Sequence, residues 1–281
     1  MTTNEKRSIA TLLASYCEQK GSQNKAAKSL NNVSPATITQ ILTDNWELIS
    51  DDMWRNVAGQ IGYDRRSWNI VETKGYSKMY KVLSDAQDMS LVLGVCGDAG
   101  SGKTEAVKSY VMANRNVYHL CCSEYWNRKQ FMMEMLQSLG MECTGTVSEM
   151  MSDIVLALKK KESPIIILDE ADKLSDQVLY FFISLYNKLE DRCGIVMAAT
   201  DYLEKRIKKG VRTNRKGYKE IFSRLGRKFI YIPIASSLDV EKICVANGID
   251  NKSDINKIIE ESECDLRRVK RLVYAIKLDR D

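Results

Sequence analysis

Five short apolar runs constrain this chain more than any other feature: LVLGVC (91–96), VYHLCC (117–122), PIIILD (164–169), GIVMAA (194–199) and KFIYIPI (228–234). Most are continuous rather than alternating. A strand with one wet face alternates apolar and polar residues; a strand covered on both faces does not. Helical patterns lie between the runs. One places Phe131, Met135, Leu136 and Leu139 at helical spacing. Another opens on the N-cap candidate Ser175 and ends before Gly194. Strands alternating with helices imply an α/β domain on a parallel sheet. With its flanks, the 281-residue chain divides into short helices and a linker over 1–70, the α/β region over 71–234 and a small helical unit over 235–281.

Composition excludes several chemistries. No apolar run is long enough to span a bilayer, and MTTNEKRSIA lacks the apolar core of a signal peptide, so the expected location is cytoplasmic and no membrane partner is expected. None of the eight cysteines forms a C-x-x-C pair, which suits buried thiols in a reducing compartment. The one histidine, His119, sits in a strand candidate. That argues against a zinc site and against Ser-His-Asp or Cys-His catalysis. The net charge of +5 permits nucleic-acid binding without demanding it.

Between the first run and the helix GKTEAVKSYVMA, the chain reads GDAGSGKT. Gly97, Gly102, Lys103 and Thr104 fit the phosphate-loop pattern G-x-x-x-x-G-K-[ST]. Glycines let backbone N–H groups turn inward around a β-phosphate, and the helix N-terminus adds partial positive charge. Lys103 would neutralise β- and γ-oxygens, and Thr104 would offer its hydroxyl to Mg²⁺. The candidate ATP cradle is therefore Gly97, Asp98, Ala99, Gly100, Ser101, Gly102, Lys103, Thr104 and Glu105. The third run ends in Asp169, and Glu170 follows it. Asp169 would hold the Mg²⁺ through water, and Glu170 would polarise the attacking water as general base.

With these motifs the chain resembles an AAA+ ATPase from about residue 80 to 281. The resemblance implies a P-loop core with a helical lid. It implies sensor 1 at Thr200 or Asp201, an arginine finger at Arg224 or alternatively Arg227 in IFSRLGRKFIYIPI, and a sensor 2 contact at Arg267 in CDLRRVKRLV. A finger acts on a neighbour's nucleotide, so an oligomer is implied.

The front of the chain adds SQNKAAKSLNNVSPATITQIL (22–42), which reads as a helix-turn-helix. Ala26, Ala27 and Leu30 make one apolar stripe. Asn31 and Asn32 favour a turn, and Ser34 caps a helix with Pro35 at its first position. Ile38, Ile41 and Leu42 face one way. Thr37, Gln40 and Thr43, with Ala36, form the candidate DNA-facing side. A second DNA candidate is KRIKKGVRTNRKGYK (205–219), with Lys205, Arg206, Lys208, Lys209, Arg212, Arg215, Lys216 and Lys219 and no acid. Such residues give affinity more than sequence specificity.

This order of parts, with DDMWRNVAGQIGYDRRSW (51–68) and the linker ETKGYSKMYKVLSDAQD, is similar to transposon target-selection ATPases of the phage Mu B type. The resemblance implies ATP-dependent assembly on duplex DNA as a helical filament or ring, low sequence specificity, delivery of target DNA to a transposase and activation of it, and disassembly on hydrolysis. Two other functions stand as alternatives: a helicase loader of DNA replication, which shares the AAA+ core but which the helix-turn-helix argues against, and a nucleotide-switched transcription regulator, which Glu170 argues against.

Overall fold

Serine caps decide where the first helices begin. After α1 (Thr3–Lys20), the extended residues Ser22, Ser34 and Ser50 each accept a bond from the amide three residues on. They start α2 (Gln23–Ser29), α3 (Pro35–Leu42) and α4 (Asp51–Gln60). Asn32 takes a left-handed φ of 57° in the turn between α2 and α3. Ile9, Leu13, Ala26, Ile38, Ile41, Trp54 and Val57 form the core of these four helices, with Trp46 edge-on to Trp54 at 5.5 Å. In the computed structural model, which describes residues 1, 3–63 and 68–279, this bundle is one of two units, Met1–Asn69 and Ile70–Asp281. Part of the 51–68 segment, residues 64–67, lies outside the described residues.

The second unit opens with a correction. The expected linker is a helix, α5 (Lys74–Asp88), capped by Thr73. Met79, Val82, Leu83 and Ala86 recur at helical spacing and are buried. It is followed by β1 (Val92–Cys96), α6 (Lys103–Ala113), β2 (Val117–Cys121), α7 (Arg128–Ser138), α8 (Val147–Lys159), β3 (Ile165–Asp169), α9 (Asp176–Leu189) and β4 (Gly194–Ala199). Then come α10 (Asp201–Arg212), α11 (Tyr218–Arg224), β5 (Phe229–Tyr231), α12 (Ser237–Ala246), α13 (Lys252–Ser262) and α14 (Leu266–Asp279).

Each of the five strands lies inside its apolar run, and all pair in parallel in the order β2-β3-β4-β1-β5. This is the α/β P-loop architecture expected. Burial explains the missing alternation. Ile165, Ile167, Val196 and Ala198 pack with α5 and α6 on one face, and Ile166, Leu168, Ile195 and Met197 pack with α7, α8 and α9 on the other. β5 stops at Tyr231, short of its run, two residues before Pro233, which has no N–H to extend a ladder. Ser175 occupies the N-cap of α9, but its side chain makes no capping bond, and the helix ends at Leu189. The α8 helix is an element the apolar reading passed over. Its signal was present as a capping box between Thr146 and Glu149. Among the described residues no helix is long and apolar enough to cross a membrane.

Candidate nucleotide site

The carboxyl ends of β1, β4 and β3 lie side by side, the position where open parallel sheets bind ligands. The loop after β1 curls through Gly100 and Gly102, at φ 77° and 87°, a left-handed backbone that glycine adopts without a Cβ penalty. Gly102 is the N-cap of α6 and supplies no side-chain cap, so the first amides of α6 are left for another acceptor. Lys103 folds back over the loop, donating from Nζ to Gly97 O at 2.6 Å, Asp98 O at 2.9 Å and Ser101 Oγ at 3.3 Å. Burial pulls its ammonium below the usual lysine range. The carboxylates of Asp169, Asp98 and Asp172 oppose that pull, and the charge of Arg267 adds to it.

From β3 comes Asp169, 1% exposed, whose Oδ2 accepts from Thr104 Oγ1 at 2.9 Å. His119 Nε2 on β2 stands 3.7 Å from the same oxygen, too far for a hydrogen bond. Burial pushes the Asp169 carboxyl up, but His119 and the Thr104 hydroxyl outweigh it, and the group is held below the usual carboxylate range. Glu170 takes a left-handed φ of 55°, which costs a non-glycine residue about 1 kcal/mol. Its Oε2 accepts from Lys173 Nζ at 2.6 Å and from the Cys121 thiol at 3.6 Å. Lys173, on the 3-10 turn Ala171–Lys173, was not foreseen; its signal is the spacing of three in EADK.

The remaining candidates divide. Thr200 donates from Oγ1 to Asp172 Oδ2 at 2.8 Å, which ties the end of β4 to the turn after β3. Asp201 turns along its own helix to Lys205 at 2.5 Å, so of the two sensor 1 candidates only Thr200 is held among these carboxylates. Arg267 stands in the first turn of α14. Ala99 and Asp98 are exposed on the loop, and Glu105 pairs with Lys108 at 3.0 Å. Arg224, the first finger candidate, is bonded within its own chain. It donates from Nε and from its terminal nitrogen to Asn187 Oδ1 at 3.2 and 2.8 Å and lies over the Tyr186 ring. Arg227 is exposed at φ 56°, and its side chain makes no hydrogen bond or ion pair among the described residues.

The basic segment is a built hairpin, α10 packed on α11. Gly210 lies so close to the Tyr218 ring that a Cβ would approach it to 2.3 Å. Asp176 at the start of α9 anchors the hairpin, accepting from Arg206 at 2.5 Å, Tyr218 Oη at 2.7 Å and Arg215 at 2.6 Å. Arg206 is therefore a correction. Its guanidinium is spent on Asp176, the Leu174 carbonyl and Tyr218, and its side chain is only 16% exposed. Lys205 and Lys208 pair with Asp201 and Glu204, acids one turn earlier on α10 that the segment reading left out. Lys209, Arg212, Lys216 and Lys219 are exposed and carry no ion pair among the described residues.

On α3 the outward side also differs. Thr37 is half-buried, with its hydroxyl bonded to Ser34 at 2.8 Å, and Thr43 Oγ1 donates back to Thr39 O at 2.8 Å. Gln40 is half-buried. Ala36 and Thr39 are exposed, so Thr39, omitted from the expected set, belongs to the outer face.

Comparison with known proteins places residues 87–207 in a match to an AAA domain. The Mu-like prophage FluMu DNA transposition protein B of Haemophilus influenzae is 22% identical over 192 residues, 68% of this chain and 66% of that protein. The ATP-dependent target DNA activator B of Escherichia phage Mu is 25% identical over 191 residues, 66% of this chain and 58% of the relative. That of Escherichia phage D108 matches to the same extent, also at 25%. The alignments thus span somewhat less than two thirds of these relatives. They bear out the resemblance to the Mu B type read from the sequence.

Proposed function

We propose that this chain, similar to the Mu-type target DNA activators, is an ATPase of DNA transposition that holds duplex DNA in its ATP-bound form and presents it to a transposase. The observation that carries the reading is the meeting of Lys103, Thr104, Asp169 and Glu170 at the carboxyl edge of one sheet, tied by the 2.9 Å Thr104–Asp169 bond. Mg²⁺ binds protein sites through one or two oxygens, with water and phosphate completing its shell. The adjacent hydroxyl and carboxylate oxygens fit that requirement, and the ion would neutralise charge on the phosphates. Lys103 leaves its carbonyl partners to meet them. Glu170, once turned from Lys173, orients the attacking water. Thr200 serves as sensor 1 and Arg267 as sensor 2. The exposed Arg227, ahead of Arg224, reaches a neighbouring copy's nucleotide. DNA is held through phosphates by Lys209, Arg212, Lys216 and Lys219 of the hairpin and by the helix-turn-helix of the first unit. Copies joined across nucleotide extend along the duplex, and hydrolysis dissolves them.

The test is duplex binding by the full chain, in gel shifts with a slowly cleaved ATP analogue and with ADP. Tight binding is expected with the analogue only, and Lys103→Ala should abolish it. Equal binding with ADP, or retention by Lys103→Ala, would overturn the reading.

A further inference from the structure

The phosphate loop touches more than its own strand and helix. Gly100 sits against the first turn of α14, so close that a Cβ there would lie 2.1 Å from Asp265 Oδ1 and 2.7 Å from Oδ2. The Leu266 amide donates to Gly100 O at 3.0 Å. The Leu266 side chain lies against Gly102, where a Cβ would meet its Cδ1 at 3.2 Å. Two glycines of the phosphate loop, Gly100 and Gly102, therefore pack against the first turn of the lid helix.

Asp265 is held on the other side too. Its Oδ1 accepts from the amides of Arg267 and Arg268 at 2.8 and 3.3 Å, which makes it the N-cap of α14. The turn before it is tightly determined: Glu263 and Cys264 take left-handed φ of 51° and 61°, the Asp265 amide donates to Ser262 O at 3.0 Å, and Ser262 is fully buried. Glu263 also pairs with Arg268 at 2.9 Å. One carboxylate thus fixes the start of α14 and rests on the backbone of the phosphate loop. Two residues further on stands Arg267, whose charge is felt at Lys103.

A bare carboxylate beside a phosphate loop opposes an anionic ligand. Here the oxygen nearest the Gly100 position is already committed to two helix amides, which draws its charge toward α14. We infer that Asp265 is a positioning residue that clamps the first turn of the lid helix onto Gly100 and so registers Arg267 against the phosphate loop. It does not touch the reacting atoms. It acts through Arg267, and it makes the position of the lid answer to the shape of the loop. This rests on the reading of the loop as a nucleotide site.

A double-mutant cycle in Mg²⁺-dependent ATP turnover tests it, with the full-length chain, Asp265→Ala, Arg267→Ala and the double variant. Misplacing a phosphate contact by about an ångström costs up to about 100-fold. Asp265→Ala and Arg267→Ala should each lose about tenfold in kcat/KM, and the double variant should lose no more than Arg267→Ala alone. Asp265→Asn keeps an oxygen for the two amides, so it should recover to within about threefold of the parent. Gly100→Ala should lose at least as much as Asp265→Ala, because the added Cβ meets the same carboxylate and the left-handed φ of 77° strains the loop as well. Additive losses in the double variant, or no recovery with Asn at unchanged thermal stability, would overturn the inference. Lys103→Ala at full turnover would instead defeat the nucleotide reading itself, a separate result from the cycle.

Discussion

The phosphate loop and the basic hairpin are both short, composition-rich stretches of one domain, yet they translate into structure differently. In the loop, residue type and position act together. Glycines bend the backbone, the helix start follows, Lys103 folds over the loop carbonyls and Thr104 meets Asp169. In the hairpin, eight basic residues say only that charge is present. Helix geometry then pairs Lys205 and Lys208 with acids one turn earlier, and Asp176 draws Arg206 inward and ties the exposed Arg215. A motif that specifies backbone shape also specifies where its side chains go; a charge run does not.

The largest effect should come from the loop side. Glu170→Gln removes the candidate base and its pairing with Lys173 while leaving the loop intact. Turnover should fall by about 100-fold or more, with ATP binding retained and DNA complexes persisting in ATP. Normal turnover would show that the carboxylate beside Asp169 is a solvated pair, no better specified than the hairpin's lysines.

Next in size are two arginines at the far end of the hairpin, Arg224 closing α11 and Arg227 just after it. Arg227→Ala should lower turnover by about 100-fold, and mixing with Lys103→Ala should restore part of it, since one subunit then supplies the arginine and the other the intact loop. Arg224→Ala should act mainly on stability, because its guanidinium is bonded to Asn187. Rescue of Arg224→Ala in place of Arg227→Ala would mean that the Asn187 contact opens on assembly.

A third substitution tests whether the hairpin is built. Asp176→Ala strands Arg206 and Tyr218 and should destabilise the second unit by about 3 kcal/mol, roughly 5–10 °C in Tm. Burial raises the Asp176 carboxyl, but Arg206, Tyr218 and Arg215 hold it below the usual carboxylate range. A depressed folded value contributes stability above the unfolded value of about 4, and that contribution fades as pH falls toward the folded one. The Tm difference between parent and Asp176→Ala should therefore be full at neutral pH and narrow below about pH 4. A constant gap would mean that packing, not charge, holds the hairpin.

The same contrast explains what the sequence made legible. Parallel strands were readable because burial on both faces leaves unbroken apolar runs, and all five strands fall inside theirs. The helix at Lys74–Asp88 was missed because its polar flank, KGYSK, resembles a linker until Met79, Val82, Leu83 and Ala86 are counted as one face. Thr39 follows the buried Ile38, and one residue turns about 100° around a helix, so it stands on the outer face although its neighbour is core. Asp265 carries no local signal at all. Its contact with Gly100 spans 165 residues of chain, and only the fold brings them together.

The smallest effect, and the finest cut through the comparison, lies within the hairpin. Lys209 and Arg212 are unpaired among the described residues, whereas Lys205 and Lys208 answer acids of their own helix. Each phosphate contact contributes about 0.9 to the slope of log affinity against log salt. Lys209→Ala with Arg212→Ala should flatten that slope by about 2 on every duplex sequence. Lys205→Ala with Lys208→Ala should change it by less than about 1, because an exposed ion pair is weak but still has to be broken before the lysine meets a phosphate. Equal changes from the two pairs would mean that DNA opens the salt bridges freely and reads the segment as bulk charge. An unchanged slope in both would leave DNA binding to the first unit.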